Sequence, residues 1–395
     1  MDSSNFMLGI NYWPSKKAMY WWKNWDRAEV EEDFAKIREN GFDKVRFFLL
    51  CEDFQPEPYK ISIESVNNLV KTLDIAHENG LGIMPTFFTG HMSGLNWMPN
   101  WMLESNTGDV RFPVYSQGKL SKRLLINYFS RQEIIRSQVY QLSEIAKVLK
   151  GHPALWGWDL GNEPSNCAIP ACKGQGNDWL GVMVEALKTV DEKIPVTIGM
   201  HMEDLEEDRN MGPVEAGKYC DFICMHGYPI YTKWADGPTD PNLLPFLAAI
   251  TGWLGKKPVL FQEFGLATSE KAEESNGMLV TEEEAADYYS KVLDGLYKVG
   301  CTGAFAWCYA DYDPQIWHQP PLDTVLHERN FGLWKYDGQK KKVLDSIKKF
   351  EKKTVLKMDY NPTWIDIEPE EFYNDPSVNL KMLYNKYNKC NNMEN

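Results

Sequence analysis

Two glutamates in this 395-residue chain stand where an apolar run ends. Trp158-Asp-Leu-Gly-Asn162-Glu163-Pro164 carries one, and Phe261-Gln-Glu263-Phe264-Gly265 carries the other. An acidic group at the end of a buried run is costly unless it has a partner or a task. One carboxylic acid that protonates a leaving oxygen, together with one carboxylate that supports positive charge at an acetal carbon, is the equipment for cleaving a glycosidic bond. Taken singly, either glutamate is equally well explained as a helix cap or as half of an ion pair at the rim of a sheet.

Positioning such a pair requires a scaffold that brings distant strand ends together. Short β-rich runs alternate with segments of helical period, the pattern of parallel βα units. Eight strands are predicted: Met7 to Tyr12, Asp43 to Leu50, Leu81 to Phe88, Leu155 to Asn162, Pro195 to His201, Asp221 to Tyr228, Pro258 to Phe264 and Gly303 to Tyr309. The first helix follows Asp26, places Val30, Phe34 and Ile37 on one side and stops at Asn40-Gly41. The second uses Val66, Leu69, Leu73 and Ala76 and ends at Asn79-Gly80. Ser130 to Glu133 and Thr281 to Glu284 have capping-box spacing and mark helices three and seven. Helices four, six and eight are expected near 178 to 192, 242 to 255 and 339 to 352. The fifth is weak, because Gly212-Pro213 interrupts it.

No Gly-rich phosphate fingerprint follows the first strand, so eight units favour a closed α/β barrel, the (β/α)8 or TIM fold, over a doubly wound dinucleotide fold. The active site is then expected at the strand C-terminal ends. One catalytic domain over residues 1–354 is expected, with a C-terminal extension over 355–395 that packs on the barrel and then frays. Two βα connections, 89–129 and 310–337, are long enough to suggest a functional role.

These segments resemble clan A glycoside hydrolases, and most closely glycoside hydrolase family 5, in which Asn-Glu ends strand four and a second Glu ends strand seven. The resemblance runs across the whole barrel. It implies Glu163 as general acid/base and Glu263 as nucleophile. Arg46, in Val-Arg-Phe-Phe on strand two, looks like the family arginine that holds the nucleophile, and His91 follows strand three where such enzymes carry a histidine. Asn162 would bind the sugar 2-hydroxyl. His226 and Tyr228, in Met-His-Gly-Tyr, resemble the pair beside the acid/base and the nucleophile, and Trp307 resembles the aromatic floor under the sugar. Each of these has a bland alternative as a rim ion pair, a satisfied polar residue or core. The implied mechanism is double displacement. An ordinary Glu pKa of about 4.3 is too low for an acid at neutral pH, so burial and the charge of Glu263 are expected to raise that of Glu163.

Gly9-Ile-Asn-Tyr-Trp-Pro14, Ala18-Met-Tyr-Trp-Trp22 and Glu52-Asp-Phe-Gln-Pro56 are similar to the β-mannosidase-like branch of that family. An exo-acting β-mannosidase on short β-linked oligosaccharides is therefore the first expectation, including mannosyl-N-acetylglucosamine cores. An endo-β-1,4-glucanase or mannanase and a non-catalytic carbohydrate-binding barrel stand as alternatives. Trp97, Trp317 and His318 in the long connections are candidate walls of the site, although a loop can equally fold over the barrel without touching substrate.

The net charge of −14 opposes binding to phosphates or anionic lipid. With 15 Trp and 19 Tyr the chain is rich in faces suited to sugars. Nucleic acid and membrane are accordingly not expected as partners, while self-association stays open. The N-terminus lacks a basic, then apolar, leader pattern, and the protein is read as cytoplasmic. Eight cysteines are scattered through the chain. Cys167 and Cys172 share a loop and could pair, but no neighbouring Cys or His completes a zinc spacing. No metal or organic cofactor is expected.

Overall fold

In the computed structural model, which describes residues 5–270 and 277–394, eight parallel strands close into a barrel. They are β1 (Met7–Asn11), β2 (Lys44–Leu50), β3 (Gly82–Thr89), β4 (Trp158–Asn162), β5 (Val196–His201), β6 (Ile223–His226), β7 (Val259–Phe264) and β8 (Gly303–Ala306). Each pairs with its sequence neighbours, and β1 pairs with β8 to close the ring. The fold is the TIM barrel, and all eight expected strands are present.

The period-two alternation of each strand fills the interior in layers. Met7, Met84, Phe222, Cys224, Leu260 and Phe305 form an apolar plug at the lower end. Gly9 makes room for it, since a Cβ there would stand 2.1 Å from the Phe305 ring. Two residues further along their strands, Asn11, Thr86 and Gln262 join Arg46 and Asp159 in a polar layer that is wholly buried. The residues at the strand tips lie above that layer.

Helices wrap the outside. α1 (Arg27–Glu39) is capped by Asp26, whose side chain accepts from the Ala28 N–H, and α2 (Ile63–Glu78) is capped in the same manner by Ser62. α3 (Gln132–Leu149) begins beyond Ser130, which bonds back to the Asn127 carbonyl instead, so the expected capping box there does not form. The box of Thr281 and Glu284 does form and starts α7 (Glu282–Lys298). α4 (Lys173–Val190) starts earlier than its apolar period suggested. The fifth connection is split into a turn of helix at Glu203–Glu206 and α5 (Pro213–Tyr219). Gly212-Pro213 is the start of α5 and not a break inside a longer helix, because proline at the first helical position forgoes only an N–H that has no intrahelical partner.

α6 (Leu243–Gly255) is buried along its whole length. A helix that is apolar on all sides needs cover on all sides. After the short α8 (Val343–Lys348), the C-terminal segment supplies that cover: Phe246 meets Trp364, Tyr384 and Tyr387, and Trp253 meets Phe372. α9 runs from Pro376 to Glu394. No helix of the described residues is long and apolar enough to cross a membrane.

Candidate active site

Strand register sets the site before any side chain is considered. His201 pairs with His226, and His226 with Glu263, so the tips of β5, β6 and β7 present these three residues in a row. Asn162 on β4 pairs with Gly199 on β5. A side chain at position 199 would collide with the Gln262 amide oxygen at 2.8 Å and with His226 Nε2 at 3.0 Å. The glycine therefore leaves space for a contact between those two groups. Glu163 itself has φ 46° and ψ 52°, left-handed backbone that is rare for a residue other than glycine. That turn follows directly on β4 and orients the carboxyl over the barrel mouth.

Arg46 is fully buried beneath. Its guanidinium donates to Asn11 Oδ1 at 3.0 Å, Thr86 Oγ1 at 2.9 Å, Asn162 Oδ1 at 2.8 Å, Asp159 Oδ2 and Glu263 Oε1. The other oxygen of Glu263 accepts from the Tyr228 hydroxyl at 3.0 Å. Glu263, 4% exposed, is thus a carboxylate fixed at both oxygens. Thr86 and Gln262 further anchor Asp159, so the arginine sits between two carboxylates in a closed network.

Glu163 is held differently. Its Oε2 accepts from Asn166 Nδ2 at 3.0 Å, and its Oε1 lies 3.0 Å from His226 Nδ1. On its far side, His226 Nε2 meets Gln262 Oε1 at 2.8 Å, while the Gln262 NH2 is committed to Asp159. The amide oxygen can only accept, so His226 carries a hydrogen on Nε2. Nδ1 of a neutral ring would then be a lone pair facing a carboxyl oxygen. One proton must lie between Glu163 and His226.

The electrostatics say on which side it rests. Burial favours neutral Glu163, but His201, His226 and His91 outweigh it and the carboxyl pKa is lowered. Burial likewise disfavours charged His226, and Glu263 and Glu163 overcome that to raise its pKa. These opposed shifts favour the proton on the imidazole. The expected upward shift of Glu163 is thus reversed, because His201, which the sequence reading did not place in the site, joins His226 and His91 around the carboxyl. His91 is pushed down by burial despite Glu163, and its Nδ1 bonds Asn96 Oδ1 at 3.0 Å.

These groups line a cavity of about 390 Å3, inside the usual range for small-molecule sites. Glu163, Glu263, His91, Asn162, His226, Tyr228 and Trp307 all reach it, and Arg46 lies under it. Trp97, Trp317 and His318 do not. Trp97 is packed between Tyr20 and Tyr115 with its indole N–H on the Met92 carbonyl. Trp317 donates to the Tyr312 carbonyl under the Arg329 guanidinium, and His318 is exposed. Loop position alone does not reveal which aromatics fold inward.

Sequence reasoning also missed residues in the wall. His201 ends β5 as Glu263 ends β7, and the strand-end rule would have found it. Arg111, Ser93, Tyr231 and Glu328 come from long connections and carry no such signal. One ligand atom each from Glu163, His226 and Glu263 lies within 4.8 Å of the others, a spacing a metal could use. The Arg46 guanidinium on the Glu263 carboxylate opposes a cation there. Cys167 and Cys172 are both free thiols.

Comparison with known proteins finds glycosidases. The glycoside hydrolase 42 family model, described as β-galactosidase, matches residues 19–207, just under half of the chain. Among solved structures, a GH5_18 protein from Streptomyces cattleya in complex with GlcNAc has a TM-score of 0.80 at 20% identity, over 96% of this chain and 89% of that one. Exo-β-1,4-mannosidase Op5Man5 from Opitutaceae bacterium strain TAV5 has a TM-score of 0.73 at 27% identity, over 88% of this chain and 59% of that one. The chain shares its barrel fold with these glycoside hydrolases. Curated relatives are also glycosidases: mouse β-glucuronidase is 25% identical over 203 residues, 50% of this chain but only 29% of the mouse protein. This barrel therefore aligns with less than a third of that relative's length.

Proposed function

We propose that this protein is a retaining β-glycosidase that removes one terminal sugar, acting on short β-mannosides. The observation that carries the exo reading is the set of loop ties around the mouth. Ser93, after β3, bonds Glu328, after β8, so two loops meet across the side above β1 and β2. Tyr231, after β6, bonds His327 at 2.6 Å and closes the side above β7. Arg111, after β3, pairs with Glu203, after β5, across the side above β4. Loop ties thus stand on several sides of the mouth, which suits a short ligand and not a polymer running through an open cleft.

Glu263 attacks the anomeric carbon while Glu163 delivers a proton to the glycosidic oxygen. That proton is drawn from the Glu163–His226 pair: when substrate displaces water, the desolvated carboxylate takes it from Nδ1 and passes it on. Water then adds to the glycosyl-enzyme, giving its proton back to Glu163 and releasing Glu263. Retention requires carboxyl groups about 5 to 5.5 Å apart, and a pair of oxygens within 4.8 Å supports it. Asn162, with one amide hydrogen on the His91 carbonyl, keeps the other for a sugar 2-hydroxyl.

Mannoside preference draws support from the exo-β-1,4-mannosidase among the structural neighbours, and the GlcNAc held by another suggests an N-acetylglucosamine aglycone. Matched aryl β-mannoside, β-glucoside, β-galactoside and β-glucuronide test the assignment, each with a Glu263→Ala control. Mannoside release that disappears in the variant is the expected result. Preference for another sugar overturns the substrate, an inverted product anomer overturns retention, and viscosity loss in mannan or glucan solution would favour an endo enzyme.

A further inference from the structure

Glu328, like Glu203 and Glu206, is a carboxyl of the cavity wall that neither the displacement nor the proton transfer uses. It belongs to the 3-10 turn Leu326–Asn330 in the long connection after β8 and is 7% exposed. Ser93 Oγ donates to its Oε2 at 2.9 Å, and the Tyr231 hydroxyl reaches Oε1 at a loose 3.4 Å. The Trp307 indole is a further neighbouring donor. An ionised carboxylate has room for about four hydrogen bonds, so capacity remains on the face turned to the cavity. Burial pushes its pKa up to about 7, Ser93 opposing and the charge of Glu263 assisting. A loop carboxyl kept so far from water is costly unless a bound partner compensates it.

Its place in the wall says which part of a ligand it meets. Glu163 and Glu263 flank the anomeric carbon, and Asn162 is near the 2-hydroxyl. Glu328 stands in the wall where the β3 and β8 loops meet, on the side of Glu263 and Trp307 and not beside Glu163, where the C4 and C6 end of a pyranose would point. We propose that Glu328 is a specificity residue that accepts a hydrogen bond from the 4- or 6-hydroxyl of the terminal sugar and so excludes a sugar chain continuing past that end. This deepens the glycosidase reading and rests on it.

The test compares 4-nitrophenyl β-mannoside with its 4-deoxy and 6-deoxy counterparts on wild type, Glu328→Ala and Ser93→Ala. A hydrogen bond to a charged acceptor corresponds to about 10- to 150-fold in kcat/KM. Wild type should prefer the parent over one deoxy analogue by that factor. Glu328→Ala should lose the preference by slowing on the parent alone. Ser93→Ala cuts the tie between the loops but keeps the carboxyl, and should retain the preference. If Glu328→Ala slows all three substrates equally, or if Ser93→Ala loses the preference as well, Glu328 only props the loops and the inference is overturned while the glycosidase reading stands. A wild type that cleaves no aryl glycoside overturns the reading and the inference together.

Discussion

Replacing Arg46 by methionine keeps most of the side-chain volume but removes the charge between Asp159 and Glu263. Both carboxylates are buried, and the guanidinium makes hydrogen bonds to both of them as well as to Asn11, Thr86 and Asn162. Breaking a buried ion pair by removing one partner costs about 3–5 kcal/mol, because the other charge stays in place without compensation. Unfolding entropy is about 2.1 cal/mol/K per residue, or roughly 0.8 kcal/mol/K for 395 residues. The melting temperature should therefore fall by about 4–6 °C. Arg46→Lys restores the charge, yet its three donors cannot replace five N–H groups, and it should recover only part of the loss. Turnover should vanish in both variants, since the nucleophile loses the bond that aims it. Scanning calorimetry of the three proteins at one pH decides the matter. A methionine variant within about 1 °C of wild type would mean that the barrel interior takes in water or repacks around the carboxylates, and the account of Arg46 as their counter-charge would fail.

Glu163→Ala should slow glycosides with a sugar leaving group by about 10²- to 10⁴-fold, as general-acid catalysis commonly contributes that much. The release of dinitrophenol, which needs no proton, should change far less in a pre-steady-state burst. Gln262→Leu removes the acceptor that keeps the His226 hydrogen on Nε2. It should lower turnover of poor leaving groups and shift the limb of the pH profile belonging to the Glu163–His226 pair, and an unchanged profile would refute the shared proton. Asp33 lies buried between the Tyr12 and Tyr309 hydroxyls, and burial raises its pKa to about 7 against those two bonds. A folded pKa above the unfolded one means stability that is present below about pH 4 and lost as pH rises through about 7. Against Asp33→Asn, wild type should therefore lose on the order of 4 kcal/mol across that window, read from urea midpoints at pH 4 and pH 8. Equal midpoint shifts at the two pH values would contradict it.

Much of this site is visible in the sequence because a parallel barrel makes it so. Strand C-terminal ends converge on one face whatever the loops do, so Glu163 and Glu263 could be placed together from strand counting, while Asn162, His226 and Trp307 were placed by the family resemblance. His201 obeys the same rule and was there to be read. Helix starts were less secure. Thr281 caps as its spacing implies, but Ser130, with the same spacing, turns back to Asn127 because the chain enters α3 from a loop already folded on the barrel.

The three-dimensional structure decided what depends on distance between chemically similar groups. That Trp97 packs away from the cavity while Ser93, four residues earlier, lines it follows from how the connection folds over β3. Glu328 gave no sign in the sequence, since a glutamate in a loop is ordinary until the loop is buried. The proton state of Glu163 was inverted for the same reason: a pKa is set by the groups within a few ångströms, and only the fold brings the histidines of β5 and β6 against a glutamate at the end of β4. Sequence determines which residues stand at the barrel mouth, because strand periodicity and order are local. Tertiary structure determines which of them touch and which of them share a proton, because hydrogen bonding and Coulombic interaction fall off over lengths that the sequence does not encode.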